Sequence, residues 1–580
     1  MIRSSHRLAV LLALSFLLSL AVHAQSDSAR LQGMVKDTSG LAVEGATVAV
    51  TSLATSRVTR TETHAQDGSY SVPALPVGRY RVEVSKAGFH GIHQELTLQV
   101  AQVASLNFTL EIGQVTEVVN VVEEAALVDA VSSDMGKSVV GRQVTELPLN
   151  GRNFTQLATL IPGVTRGVPD GQASGAQGNA ETFRNGTSGG AALAINGLRP
   201  QANSFLLDGV DNNESLVNTI VFFPPAEAIQ EFRVQTSIAP AEFGRAGGGI
   251  INTSIKSGSN EVHGSAFEFL RNSELDARPT FAPGRNPFQR NQFGGTLGGP
   301  IVKNKLFAFG DYQGLRQSTP LGTDFASVPT PEFRAGDFSL LLDPARSGQS
   351  GAYPVRDLLT GAPFPGNRIP QSRLNPVGQK YLSAFPLPNT NAGRATQNYV
   401  TQRKQIQEFN DFDIRIDYLA GLKDSLFGRV SYGQDSSVTT SRLPGLPAGF
   451  GSGQNFNHTR GVVLGETHTF TPSLLNELRL AFTRVHYGYA PPFQDQKISA
   501  DLGIPNANTS PLLGGGALIG GWNGQLEYTG DFGPYGRLRQ RVHHRASFRH
   551  GGHPQQRERR LSSRRLAGFP APHLEPGSAL

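Results

Sequence analysis

The chain has 580 residues, a formal net charge of +6 and no cysteine, so disulfides and thiolate metal sites are excluded. Eight Arg and two Glu from Arg541 onward account for the whole excess, which leaves residues 1–540 neutral and argues against a nucleic-acid-binding surface. Sixty-six Gly, 36 Pro and only 17% charged residues describe a chain rich in turns, without the charge runs of a coiled coil.

Arg3, His6 and Arg7 precede an apolar run over 8–22, followed by Val22-His23-Ala24. This reads as a secretory signal peptide, residues 1–24, cleaved between Ala24 and Gln25. The run is shorter than the roughly 20 residues a helix needs to cross a bilayer, and no later stretch approaches that length. Any membrane insertion must therefore use β-strands closed into a barrel.

Seven runs in 29–112 alternate apolar and polar residues: 31–35, 46–52, 56–63, 70–72, 78–86, 95–100 and 104–110. Turn formers separate them, which predicts a β-sandwich. The pattern GMVKDTSGLAVEGATVAV, then QDGSYSVPALPVGRYRVEVSKAGF, resembles carboxypeptidase-regulatory-like domains. That resemblance implies a transthyretin-like sandwich serving as an accessory module without peptidase chemistry. The connector, 113–135, holds the β-branched run Glu117, Val118, Val119, Asn120, Val121, Val122. It reads either as the last strand of the sandwich or a stiff linker, or as a strand offered to a partner by edge pairing.

Residues 136–258 contain a short helix over 153–160, stopped by Pro162-Gly163, and β-runs at 204–207, 232–236 and 249–255. Asp208-Gly209 and Asp211-Asn212-Asn213 supply tight corners, so this is a small α/β module. Three decoys lie within it. Gly186–Gly190 fits G-x-S-x-G, but 180–185 is not the apolar strand a nucleophile elbow needs. Asp208, Asp211 and Glu214 miss the EF-hand pattern, and carboxylates capping backbone amides are the better use of that turn. Arg152, Arg199 and Arg245 are expected to pair with acidic barrel-wall groups rather than catalyse. No nucleophile, base and orienting group assemble, so no enzyme, cofactor or metal is expected.

From 259 to 540 the period becomes two. Phe412, Ile414, Ile416 and Tyr418 oppose Asp411, Asp413, Arg415 and Asp417, and 426–432 and 477–483 repeat the alternation. Apolar residues outward to lipid and charged ones inward is the pattern of a membrane barrel. Residues 314–404, proline-rich and without rhythm, read as one long extracellular loop. About eight strands are legible, whereas plugged transporters have about 22, so the barrel is expected to be incomplete. The tail 541–580 loses alternation and crowds Arg with His543, His544, His550 and His553. It reads as translated out of frame, in preference to a zinc site or a nucleic-acid arm.

Three motif blocks, LPLNGRNFTQLATLIPGV, INGLRPQANSFLLDGVDNNE and AIQEFRVQTSIAPAEFGRAGGGIINTSIKSGSNEVHGSAFEF, resemble TonB-dependent outer-membrane receptors, in particular the Oar-like branch. The plug signature falls on Asn150, Arg152, Asn196, Gly197, Arg199, Asp208 and Gly209. The resemblance implies a mainly β protein: a transthyretin-like sandwich, a small α/β plug, and the N-terminal part of a transmembrane antiparallel barrel. It implies as partners the TonB energising complex, outer-membrane lipid and an unidentified bulky extracellular solute such as a glycan, chelate or peptide. The candidate TonB contact is Glu117 to Val122. A second reading is a secreted or surface carbohydrate-binding or adhesive protein that works through the sandwich.

Overall fold

The computed structural model describes residues 28–113, 118–121, 135–149, 152–166, 193–214, 220–237, 247–278, 287–348, 350–391, 393–441, 453–471, 474–490 and 501–503, with single positions between them. The signal peptide with Ala24 and Gln25, Glu117, Val122, Asn150, the 186–190 motif, Arg245 and the tail 541–580, with His543, His544, His550 and His553, lie outside the described residues.

Two sheets form the amino-terminal sandwich. Strands β1 (Ala29–Asp37), β2 (Thr47–Ser52), β3 (Val58–Glu62), β4 (Ser69–Leu75), β5 (Gly78–Ser85) and β6 (Gly91–Leu98) are followed by β7 (Val103–Ser105) and β8 (Phe108–Leu110). One sheet runs β4-β1-β7, with β8 also on β1, and the other holds β3-β2-β5-β6. Alternation decides which side chains meet between them: Leu31, Val48, Val50, Val82, Val84 and Leu98 are all buried in one core. The single strand expected over 104–110 is two, because parallel pairing with β1 breaks at Leu106-Asn107 and resumes in the same register. The Leu106 carbonyl accepts the Tyr70 hydroxyl at 2.6 Å, and Asn107 Oδ1 accepts from Met34 N at 2.9 Å. Gly33 permits this, since a Cβ there would lie 1.8 Å from the Leu106 oxygen.

The connector contributes β9 (Val118–Val121), paired in parallel with Gly91–Gln94 of β6 at the edge of the second sheet. The central module then opens with β10 (Met135–Val140), the short helix Gly141–Glu146 and the 3-10 helix Phe154–Leu160. Strands β11 (Val164–Arg166), β12 (Leu193–Ile195), β13 (Ser204–Leu207), β14 (Val210–Asp211), β15 (Ile229–Ser237) and β16 (Ile250–Ile255) complete it. Its main sheet is ordered β10-β15-β16-β13-β14, and β11 pairs with β12. Every residue of β13 and β16 is buried, so this sheet is covered on both faces. Phe154, Leu157, Ile195, Phe205, Phe232 and Val234 are among the residues that pack its core.

The remaining sheet is an antiparallel meander of seven strands: β17 (His263–Asn272), β18 (Gln289–Val302), β19 (Leu306–Ala326), β20 (Tyr399–Leu419), β21 (Asp424–Thr439), β22 (Gly453–Thr471) and β23 (Leu474–Ala490). Its outer face exposes Ile414, Val430, Leu464, Leu480 and Phe482, while Asp311, Gln313, Asp413, Arg429, Asn457 and Thr459 face inward and are buried. The fold class is thus mainly β as expected, and among the described residues the sheet is open, with β17 and β23 as its edges. No described helix is long and apolar enough to cross a membrane.

The loop expected over 314–404 needs correction. Strand β19 continues to Ala326 and β20 begins at Tyr399, so 314–326 and 399–404 belong to the wall and the insert is 327–398. A bulge between Pro320 and Gly322, with Gly322 at φ 95°, interrupts the alternation and hid the strand from periodicity. The insert is also folded. Phe333, Leu340, Leu341 and Ala395 make one small core, and Val328, Phe385, Ala326 and Leu443 another. Asn398 closes its neck, accepting from Val328 N at 2.8 Å and donating to Val328 O at 2.9 Å.

Candidate functional site

The turn Asp208-Gly209 between β13 and β14 lies against the inner face of the wall. Both residues adopt the left-handed conformation, at φ 50° and 71°. The Asp208 side chain has no exposure, and its Oδ1 accepts the Ile255 amide at 2.9 Å. A carboxylate so buried needs cations, and the wall brings two: Arg415 Nη1 of β20 at 3.1 Å and Arg429 Nε of β21 at 3.0 Å. The Arg429 contact is an ion pair without hydrogen-bond alignment. Arg429 also stands 3.6 Å from Asp413, and Arg415 pairs with Asp417 at 2.9 Å. Arg479 of β23 donates to the Asp208 carbonyl at 3.0 Å and pairs with Glu477. The Phe427 ring lies under Arg415, 4.8 Å from its guanidinium carbon. Odd-numbered positions on β20, β21 and β23 thus converge on one aspartate of the central module.

This reverses the expected polarity. The module's arginines were expected to meet acidic wall groups, but its aspartate meets wall arginines. Arg152 pairs instead with Glu227 inside the module, while its guanidinium covers the rings of Phe267 and Phe269 on β17 at 5.5 and 4.3 Å. Burial lowers the Arg152 pKa and raises that of Glu227, and each partner's charge opposes the other's shift. Arg199 is exposed just ahead of the 3-10 helix Pro200–Ala202. Asn196 and Gly197 turn the chain after β12 at φ 52° and 74°, and the Asn196 amide donates to the Thr236 carbonyl. Asp211 is exposed and accepts from Asn213 N at 3.0 Å. Among the described residues no three His, Cys, Asp or Glu converge as a metal site.

Two buried asparagines, Asn203 and Asn212, hold the module's corners together. Asn212 exchanges two hydrogen bonds with Phe222, at 2.9 and 2.8 Å. Asn203 donates to Leu193 O at 2.7 Å and accepts from Gly249 N at 3.0 Å, joining β12 to β16. Leu207, Asn212 and Phe222 face Arg429, Ser431 and Thr459 across a crevice of about 10 Å³, the room one water needs.

The sandwich meets the module on another side. Glu231 of β15 accepts from Val100 N, and Arg233 Nη1 donates to Val100 O at 3.3 Å. Burial pushes the Glu231 carboxyl up to about 7, against the opposing effects of the Val100 amide and Arg233. Asn260, between module and wall, also reaches the sandwich, donating from its backbone to Ala54 O at 2.9 Å. In the candidate TonB contact, Val118 to Val121 are already paired to β6, so the run does not stand free.

The outer membrane beta barrel domain family matches residues 254–553, and the carboxypeptidase regulatory-like domain family matches residues 30–111. The TonB-dependent transporter Oar of Myxococcus xanthus is 29% identical over 262 residues, 42% of this chain and 23% of that protein. A probable TonB-dependent siderophore receptor of Acinetobacter baumannii, PirA, is 26% identical over 193 residues, 31% of this chain and 22% of that protein. Among solved structures, the outer membrane transporter YddB from Escherichia coli aligns at TM-score 0.39 and 11% identity, over 62% of this chain and 40% of its own. The siderophore receptor PirA from Acinetobacter baumannii aligns at 0.35 and 15%, over 63% and 41%. The chain spans less than a quarter of the length of these curated relatives. With more than half of its residues matched, the chain belongs to the outer membrane beta barrel domain family, and it is a homologue of the TonB-dependent transporter Oar that carries a carboxypeptidase regulatory-like domain.

Proposed function

We propose that the chain serves TonB-dependent uptake at the outer membrane, with residues 136–258 as a plug seated against the lumen face of the barrel wall. The buried contact of Asp208 with Arg415 and Arg429 carries this reading. It ties the module to the wall through polar groups that water can replace, which suits a body that must be held and later moved. Residues 1–24 then direct export, 29–112 form an accessory sandwich, and 113–135 form the connector. Contact with TonB at Glu117 to Val122 would draw on a segment that rests on β6, so its engagement either strips β9 from β6 or adds to β9's open edge. The solute is a bulky one, such as a glycan, chelate or peptide, captured on the side of the folded insert 327–398.

The test is expression in a Gram-negative host, with a photo-crosslinking residue at Val119. Recovery in outer-membrane fractions, heat-modifiable migration and an energy-dependent crosslink to TonB are expected. A chain recovered in soluble form without detergent overturns the barrel reading, and a membrane-bound chain that never crosslinks from 117–122 overturns that TonB contact.

A further inference from the structure

The inward face of β19 and β20 holds two carboxylates that the contact with Asp208 leaves unanswered. Asp311 and Asp413 lie directly opposite each other across the strand pair and are 6% and 0% exposed. Opposed side chains have Cβ atoms about 4.5–5.5 Å apart, and like charges in such positions destabilise a sheet. Asp413 Oδ1 accepts from the Ser431 hydroxyl and stands 3.6 Å from Arg429 Nη1, a guanidinium already shared with Asp208. Asp413 Oδ2 and both oxygens of Asp311 are buried without a hydrogen-bond partner among the described residues.

A neutral side chain points the same way. Gln313, the next inward position on β19, is 7% exposed, and its Oε1 also has no hydrogen-bond partner among the described residues. It lies diagonal to Asp413, a separation of about 7–8 Å that a long side chain spans. Buried polar groups are ordinarily hydrogen-bonded, and a buried charge is paired or coordinates a metal. Here acceptors gather without donors. Among the described residues no third carboxylate or imidazole joins them. The donor set is therefore two carboxylates and an amide oxygen, with room for water to complete the shell. Oxygen alone suits a hard cation and not zinc. Calcium accepts an irregular shell of oxygens at about 2.3–2.6 Å, whereas magnesium demands near-ideal octahedral geometry.

We propose that Asp311, Asp413 and Gln313 hold a calcium ion on the inward face of the wall, beside the seat of the module. The ion takes the free oxygens of both carboxylates and cancels the repulsion between them. It also relieves Arg429 of Asp413, so that this guanidinium serves Asp208 alone. The site rests on the placement of β19 and β20 and not on uptake or on TonB.

The test uses the full 580-residue chain, purified in a non-ionic detergent, stripped of metal with a chelator and titrated calorimetrically with calcium chloride. One ion per chain is expected, with a Kd of about 0.1 mM or below. D311N, which keeps the shape and removes one charge, is expected to bind at least about tenfold more weakly. In chelator its urea midpoint should be no lower than that of the unaltered chain, because the opposed charge is gone. An unaltered chain that binds no calcium overturns the proposal whatever the variant does, and leaves the opposed pair to share a proton. Binding undiminished in D311N also overturns it, since the ion then sits elsewhere, as on copurified lipid phosphate. So does a lower midpoint for D311N in chelator, which would give Asp311 a partner within the chain. Magnesium binding as tightly as calcium removes the assignment to calcium.

Discussion

Replacing Asp208 by Asn isolates the charge at the contact between module and wall. Asparagine has the same shape, tolerates the left-handed backbone at φ 50° and keeps an oxygen for the Ile255 amide. What disappears is the anion between Arg415 and Arg429, whose side chains are only 13% and 4% exposed. Removing one partner of a buried pair costs about 3–5 kcal/mol, mostly because the other charge is left uncompensated. Asp413 at 3.6 Å and Asp417 at 2.9 Å still face the two arginines, which argues for the lower end, about 3 kcal/mol. At 1.4 kcal/mol per decade, this is roughly a hundredfold more opening of the contact.

Hydrogen exchange reads it at the Ile255 amide, which donates to Asp208 Oδ1 at the contact itself. Protection there is expected to fall by about two decades, while the β2–β5 amides of the sandwich stay unchanged. Asp211→Asn is the control, three residues along and exposed, with an expected effect within about 0.5 kcal/mol. A change below threefold in D208N, or an equal one in D211N, refutes the claim that the buried charge holds the module to the wall.

Three further substitutions probe other parts of the assembly. Glu231 holds its proton up to about pH 7 when folded but gives it up near 4.5 when unfolded. The folded state therefore binds more protons between those values, and stability declines as pH rises through them. The urea midpoint should be lower at pH 8 than at pH 5, and E231Q should flatten that slope. Asn153→Ala removes the cap of the 3-10 helix Phe154–Leu160, where Oδ1 accepts from Thr155 N at 3.0 Å. A loss of about 1–2 kcal/mol in urea unfolding is expected, and no loss would mean the cap is idle. Gly258→Ala puts a Cβ 2.5 Å from the Ala308 oxygen and 2.7 Å from that of Gly299, both backbone atoms of the wall. It should cost about 1–3 kcal/mol, whereas Gly244→Ala, with open space around it, should cost nothing measurable.

The wall strands were legible in the sequence because one face meets lipid and the other polar groups, which imposes period two on 411–419 and 426–432. The corner at Asp208-Gly209 was legible too, since few other pairs accept two left-handed residues. What lies across from that corner was not. Arg415 and Arg429 come from strands some 200 residues downstream, and no local pattern marks a partner at that distance. The same gap produced the reversed expectation for Arg152, whose partner Glu227 lies 75 residues away. In the insert, cores built from scattered pairs such as Phe333 and Ala395 leave no periodicity to read.

The composition of the contact sets the order in which the assembly yields. One apolar cluster bridges module and wall, and it holds five buried side chains: Leu207, Phe222, Ala228, Ile255 and Phe309. The module's own main core holds sixteen, from Val139 to Ile251. At about 1.5–3 kcal/mol per large buried side chain, the internal core outweighs the bridge severalfold. Beside it stand Arg152 over the rings of Phe267 and Phe269 and a set of polar contacts: Asp208 with its arginines, and Thr459 donating to Val221 O at 3.5 Å beside the water-sized crevice. Water entering from the crevice can replace these groups one at a time, which it cannot do for a packed ring. A force on the module therefore separates it from the wall before it unravels the sheet. The same force releases Glu231 and Arg233 from Val100, so the sandwich is uncoupled in the same movement unless the pull comes through the sandwich itself.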